Sequence, residues 1–420
     1  MKKDFFSFRM VLSVVALLCL AIISCSKVEP KEVVFEEKDK TVLIYLAANN
    51  NLCADAFENI NRITNGYVPT DGYLIVYCSS VRPSVYPGYP VRDTLPFILN
   101  IYKDKKGLTQ IDTLMSFNVM NSVNKNSLSK ILKFTKSVAP AREYGLVLWS
   151  HGTGWVPPGY YSANPKSTAT AASLSSRTAE LWPAPPGGID PYAHLVKSFG
   201  EEAGEEISIF DLKEALGENH FSFIAMDACL MGGIETAYEL RNHCDYYISS
   251  AAEILTDSFP YETVVEDMFK GDYNAVAKDV YDYYAAKSGI YRSVTISTVK
   301  TSELESVASA AKAVFDNYRD NIADLNMTKI QRYFRYNKHW FYDLNDFVQN
   351  LATGTPEAEN FSTALNRAVT AKYTTGLMID LYIDVNKFSG LSSYIDKPAD
   401  TELESYYSRY EWNRDTGMIE

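Results

Sequence analysis

Short apolar runs alternate along the chain with stretches in which apolar residues recur every three or four positions. Thr41-Val-Leu-Ile-Tyr-Leu46, Tyr73-Leu-Ile-Val-Tyr77, Phe97-Ile-Leu-Asn-Ile-Tyr102, Tyr144-Gly-Leu-Val-Leu-Trp149, Phe221-Ser-Phe-Ile-Ala-Met226 and Tyr246-Tyr-Ile-Ser-Ser250 are the runs. They are too short for helices and rich in β-branched and aromatic residues, as strands buried on both faces are. Between them, Leu52, Phe57, Ile60 and Ile63, and later Leu128, Ile131, Leu132 and Val138, each mark one face of a helix. Met231–Leu240 reads as a further helix, with Ile234 and Tyr238 inward. Strands alternating with helices predict an α/β fold, a largely parallel sheet covered on both sides. The pattern changes near residue 290, where Val294-Thr-Ile-Ser-Thr298 and Gly376-Leu-Met-Ile-Asp-Leu-Tyr382 read as strands. Ser302 and Glu305 read as a capping box ahead of Leu304, Val307, Ala311, Val314 and Phe315. A smaller mixed α+β C-terminal subdomain over 290–420 is expected.

The first 24 residues read as an address. Lys2, Lys3 and Arg9 precede the apolar run Met10–Ile23, which is short for a membrane span and suits a signal peptide. It ends in Ile22-Ile23-Ser24-Cys25, which resembles the lipobox of bacterial lipoproteins. The resemblance implies cleavage before Cys25, acylation of its thiol and amino group, and residence in the cell envelope at the outer membrane or cell surface. Residues 25–40 then form a polar tether, and the folded part begins near residue 41. Removing residues 1–24 takes away three positive charges and one negative one, so the net charge moves from −12 to −14. An acidic chain of this kind argues against a nucleic-acid partner.

Residues 157–188 break the periodicity. Pro157-Pro158, the Ser/Thr/Ala-rich stretch Ser167–Ser176 and the run Pro183–Gly188 read as an exposed insertion. Cys53 and Cys78 sit at the edges of apolar segments and read as small buried hydrophobes. There is no Cys-x-x-Cys or His-x-x-x-His pair, which argues against a zinc site. His194, His220, His243 and His339 have no matched nucleophile and read as structural or exposed.

Two segments share one design. Leu146–Trp149 runs into Ser150-His151-Gly152-Thr153-Gly154-Trp155, and Phe223–Met226 runs into Asp227-Ala228-Cys229-Leu230-Met231-Gly232. Each places a reactive side chain past the carboxyl end of a buried strand and follows it with Gly, where parallel sheets carry their chemistry. A thiol nucleophile needs a base and a setting that favours thiolate. His151 supplies the base. The start of the expected 231–240 helix, near Cys229, supplies part of the setting. Backbone N–H groups of Gly152 and Cys229 could form an oxyanion hole.

These blocks resemble the clostripain family of caspase-like cysteine peptidases. The residues that carry the resemblance are Ser150-His-Gly152, Met226-Asp-Ala-Cys-Leu-Met-Gly-Gly-Ile-Glu-Thr-Ala-Tyr-Glu-Leu240, Leu43-Ile-Tyr-Leu-Ala-Ala-Asn-Asn50 and Ile248-Ser-Ser-Ala-Ala-Glu253. The resemblance implies a caspase-like peptidase domain over 41–289 acting on polypeptide substrates. It makes His151 and Cys229 the catalytic dyad, with cleavage after Arg or Lys. It makes Asp227 a candidate wall of the substrate pocket, although the residues themselves equally allow Asp227 to hold the strand-end turn. It also implies self-cleavage within 157–188, for which Lys166 and Arg177 are the candidates, and leaves calcium as a possible cofactor although no calcium loop is recognisable. In place of the Gly-rich stretch that relatives carry after this last segment, the chain has Ile254-Leu-Thr-Asp-Ser-Phe-Pro260. The rival reading is a surface lipoprotein that keeps the scaffold to bind a ligand without turnover.

Overall fold

The computed structural model describes residues 35–50, 52–79, 95–118, 120–160, 202, 205–335, 340–396 and 401–419. The expected signal peptide, Cys25, Lys166, Arg177, His194, His339 and all but the first four residues of the expected 157–188 insertion lie outside the described residues.

Nine strands make the central sheet. They are β1 (Lys38–Leu46), β2 (Gly72–Cys78), β3 (Phe97–Lys103), β4 (Thr109–Ser116), β5 (Ala141–Trp149), β6 (Phe221–Asp227), β7 (Cys244–Ser249), β8 (Thr295–Lys300) and β9 (Val369–Thr374). Their spatial order is β9-β8-β7-β6-β5-β1-β2-β3-β4. The middle five, β7-β6-β5-β1-β2, are parallel, and antiparallel strands extend both edges. The continuous apolar runs supply the parallel centre because its strands are covered above and below.

Helices α1 (Cys53–Asn65) and α2 (Lys125–Val138) follow the expected spacing, with Ala56, Ile60 and Ile63 of the first and Leu128, Ile131 and Leu132 of the second buried. Asn124 caps α2 by accepting from the Asn126 N–H. α2 packs on α3 (Ile209–Leu216), on the sheet face that carries Leu148 and Met226. The face that carries Trp149 and Asp227 is covered through the loop at Ser258. Ser258 Oγ accepts from Trp149 Nε1 at 2.7 Å and from Asn59 Nδ2 of α1 at 3.2 Å. Alternation along a strand puts these two sets on opposite faces.

Four expectations need correction. The segment after Cys229 is helical only over α4 (Ile234–Glu239), because residues 228–233 form a loop in which Leu230 takes φ 61°. The boundary near residue 290 is not a structural one, since β8 and β9 add to the same sheet and residues 37–420 form one compact unit. Residues 376–382 are not one strand but a tight pairing of Leu377–Met378 with Leu381–Tyr382 around Ile379 at φ 57°. The helix expected beyond Ser302 spans Leu304–Tyr318 and buries its five apolar residues, but a short 3-10 turn at Thr301–Glu303 replaces the capping box.

Candidate active site

Strands β5 and β6 pair in parallel with Trp149 opposite Asp227. His151 and Cys229 are therefore equivalent positions, each two residues beyond the last pair, on neighbouring strands about 4.8 Å apart. The loops touch. A β-carbon on Gly152 would collide with the carbonyl oxygen of Cys229 and lie 3.1 Å from Ala228 Cβ. Gly154, at φ 58°, lies just as close to the carbonyl of Leu230. The two glycines after His151 are thus required by close approach to the nucleophile loop, and Gly154 also by its backbone conformation.

The Cys229 loop is stitched from three sides. Leu230 N–H donates to Ala252 O at 2.9 Å, Gly232 N–H donates to Ser250 O at 2.7 Å, and Ser392 N–H donates to Gly232 O at 2.8 Å. The His151 loop is held as firmly. Ser150 Oγ donates to Ala47 O at 3.0 Å, Trp155 Nε1 donates to Trp340 O at 2.9 Å, and Tyr410 OH donates to Trp155 O at 2.8 Å. His151 and Cys229 are both buried, at 7% and 2% exposure.

The thiol has a polar neighbour that sequence reasoning did not find. Ile254 N–H points at Cys229 Sγ from 3.1 Å, and Ile254 O lies 3.5 Å from it. The donor and the acceptor of one backbone residue thus bracket the sulfur. The helix start expected beside Cys229 is not there, since α4 begins only at Ile234. Ile254 belongs to the stretch in which the chain departs from the Gly-rich pattern, so side-chain patterning gave no signal for it.

Asp227 is not placed as a pocket wall. It is fully buried, and its Oδ2 accepts from Tyr261 OH at 2.9 Å and from the Phe259 N–H at 3.1 Å. The carboxylate holds the 254–260 loop to the end of β6, so the strand-end role is the one observed. Burial, with Asp227 beside it, pushes the Tyr261 hydroxyl well above its ordinary range, so it stays a donor.

A cavity of about 100 Å³ opens beside the strand ends, lined by His151, Gly152, Thr153, Ala228, Met231 and Ile207 among others. It reaches His151 but not the sulfur. Among the described residues no three His, Cys, Asp or Glu side chains are grouped to hold a metal ion. Cys53, Cys78 and Cys244 are buried and unbridged. His220 is exposed and paired with Asp245, and burial lowers the pKa of His243.

Comparison with known proteins agrees with this fold. A sequence model of the clostripain family matches residues 44–169 and 195–418. An inactive zymogen C11 protease from Parabacteroides distasonis is 29% identical, with 91% of this chain and 99% of that one covered at a TM-score of 0.70. A secreted C11 cysteine protease from Bacteroides thetaiotaomicron, solved with an irreversible peptide inhibitor, is 27% identical over 90% of this chain and 98% of that one, at a TM-score of 0.70. A secreted C11 cysteine protease named iotapain, from the same organism, is 22% identical over 91% of this chain and 100% of that one, at a TM-score of 0.72, and shows the fold alone. No curated protein matches the chain. Matched across both strand-end loops and most of the sheet, this chain belongs to the clostripain family of cysteine peptidases.

Proposed function

We propose that the chain is an exported endopeptidase in which Cys229 attacks the scissile carbonyl and His151 moves the protons. The observation that carries this reading is the register of β5 and β6, which puts both residues two positions past one strand pair with Gly152 against the Cys229 carbonyl. Cys229 thiolate adds to the carbonyl carbon, and the oxyanion is held by backbone N–H groups of Gly152 and Cys229. His151 then protonates the leaving amine. Water, losing a proton to His151, releases the acyl group and restores the thiol.

The preferred bond follows Arg or Lys, and the intact chain is a precursor that cuts itself after Lys166 or Arg177. Two observations support the precursor. The thiol is 2% exposed, and one of the similar structures is of an inactive zymogen. Gly159, near the start of the insertion, donates its N–H to Glu206 Oε2 at 2.6 Å, well past the insertion's end. Acylation at Cys25 anchors the chain to the cell envelope. Cys25→Ala moves the protein from the membrane to the soluble fraction, and recovery in the membrane would remove the anchor from the account.

The central test uses Cys229→Ala. The variant folds, stays uncut in 157–188 by mass spectrometry, and loses hydrolysis of a fluorogenic Arg or Lys peptide by at least a thousandfold. Equal turnover in the variant ends the proposal.

A further inference from the structure

Resting on that reading, we infer that Glu253 is the carboxylate that receives the cationic side chain of the substrate, and that Arg335 fills its place in the intact chain. Glu253 directly precedes Ile254, the residue whose backbone contacts the Cys229 sulfur. Its side chain is 8% exposed, and both its oxygens face one guanidinium. Arg335 Nε lies 2.5 Å from Oε2, and Nη2 lies 3.1 Å from Oε1. This two-pronged geometry is how a carboxylate recognises arginine. Asp227, the other buried carboxylate near the thiol, is fully buried and spends its Oδ2 on Tyr261 OH and the Phe259 N–H.

Arg335 comes from irregular backbone, not from a helix or strand. Further along the chain, Phe341 closes against Gly154, Trp340 O accepts from Trp155 Nε1, and the Trp340 ring meets Tyr160 edge-on at 5.8 Å. Trp340 and Phe341 thus touch the His151 loop, while Arg335 plugs the carboxylate next to Ile254. Asp380, half-exposed, stands 3.9 Å from Arg335 Nη1 on the outer side and gives a guanidinium a second carboxylate on its way in or out.

A buried guanidinium–carboxylate pair roughly breaks even on stability, whereas one partner left alone is heavily penalised. Exchange of Arg335 for an arginine of a substrate keeps the same two hydrogen bonds, so it leaves no charge stranded. What opposes the exchange is tethering. A side chain fixed to its own protein competes at an effective concentration of about millimolar or more. Arg335 thus raises the KM of basic substrates without touching the bond-breaking groups. The fork geometry favours Arg over Lys, which binds as a point charge.

The test uses the full mature chain and two peptides that differ only in carrying arginine or its neutral isostere citrulline before the scissile bond. Arg335→Ala lowers KM for the arginine peptide at least tenfold and leaves the citrulline peptide within twofold. Glu253→Gln lowers the arginine-to-citrulline ratio of kcat/KM at least thirtyfold. Ethylguanidinium added to Arg335→Ala raises its thermal midpoint and competitively inhibits arginine-peptide cleavage. Arg335→Lys, which keeps a charge but loses the fork, serves where Arg335→Ala does not fold, and lowers KM for the arginine peptide at least threefold. A KM that does not fall, a ratio that survives Glu253→Gln, or ethylguanidinium that stabilises without inhibiting overturns the inference and makes the pair purely structural. In those cases hydrolysis that still depends on Cys229 leaves the peptidase reading intact. Hydrolysis that is indifferent to Cys229 overturns that reading and this one with it.

Discussion

The two ends of the parallel sheet each carry a buried thiol, and they are built for opposite purposes. Cys244 opens β7 at the amino end and is 1% exposed, while Cys229 follows β6 at the carboxyl end and is 2% exposed. Burial pushes the Cys244 thiol well up from its ordinary value, and it pushes Cys78 up to about 12. A backbone hydrogen bond from Ile224 partly offsets burial at Cys244, as the Ile254 N–H lies 3.1 Å from Cys229 Sγ. Accessibility and a backbone donor therefore do not separate a packing sulfur from a reacting one. The separation comes from place, since Cys229 follows the strand pair that also leads into the His151 loop.

The largest contrast should appear in thiol alkylation. At pH 7, iodoacetamide should modify Cys229 of the active protein at least a thousandfold faster than Cys78 or Cys244, read by peptide mapping, because reaction follows the thiolate fraction. Comparable rates would erase the contrast between the reacting thiol and the packing ones.

Next comes Glu235 on α4, near the carboxyl end. Its Oε1 accepts from Tyr394 N–H at 2.8 Å and Tyr407 OH at 3.0 Å, and burial still raises its pKa to about 7 from an ordinary 4.5. The shift is upward, so the neutral form is the one the fold favours. Its contribution is complete below pH 4.5 and is lost as pH rises through 7. A shift of this size amounts to about 3 kcal/mol. Urea midpoints should fall between pH 5 and pH 8 in the wild type, and Glu235→Gln should flatten that slope.

Glycine substitutions at the two ends should give a smaller, sharper split. Gly152→Ala drives a methyl into the Cys229 carbonyl and should cost about thirtyfold in kcat/KM, as displacement of reacting groups does. Gly72→Ala, at the amino end of β2, meets Phe269 and the Lys40 carbonyl and should lower the melting temperature with kcat unchanged. The smallest effect belongs to Tyr261→Phe. Asp227 keeps the Phe259 N–H but loses one donor, for about 1 kcal/mol of stability by denaturant titration and no change in the residue preferred before the cut.

The parallel centre of the fold was legible because its strands are covered on both faces and read as unbroken apolar runs. β4 was not legible. It is an edge strand with most side chains in solvent, so Thr109–Ser116 carries no two-sided apolar signature. β9 was missed for a related reason, since Val369–Thr374 is polar and pairs only with β8. At the site, the matched contexts of His151 and Cys229 were visible because glycine must follow each of them where the loops approach. Ile254 and the burial of Asp227 were invisible. Both depend on how residues 254–260 fold back over the sheet, and Ser258 there takes φ 61°, which no sequence periodicity encodes. Arg335 carries no local pattern that marks it, because its partner stands 82 positions earlier in the chain.

The hydrogen bond from Ser392 to Gly232, and that from Tyr410 to Trp155, set a schedule for the molecule. Synthesis runs from the amino terminus, so both reactive side chains emerge long before the residues that brace their loops. Contacts so distant in sequence form late and slowly. A nascent chain that has not yet reached residues 392 and 410 would hold histidine and cysteine on unbraced loops, and hydrolytic competence would arrive only once those residues have been added.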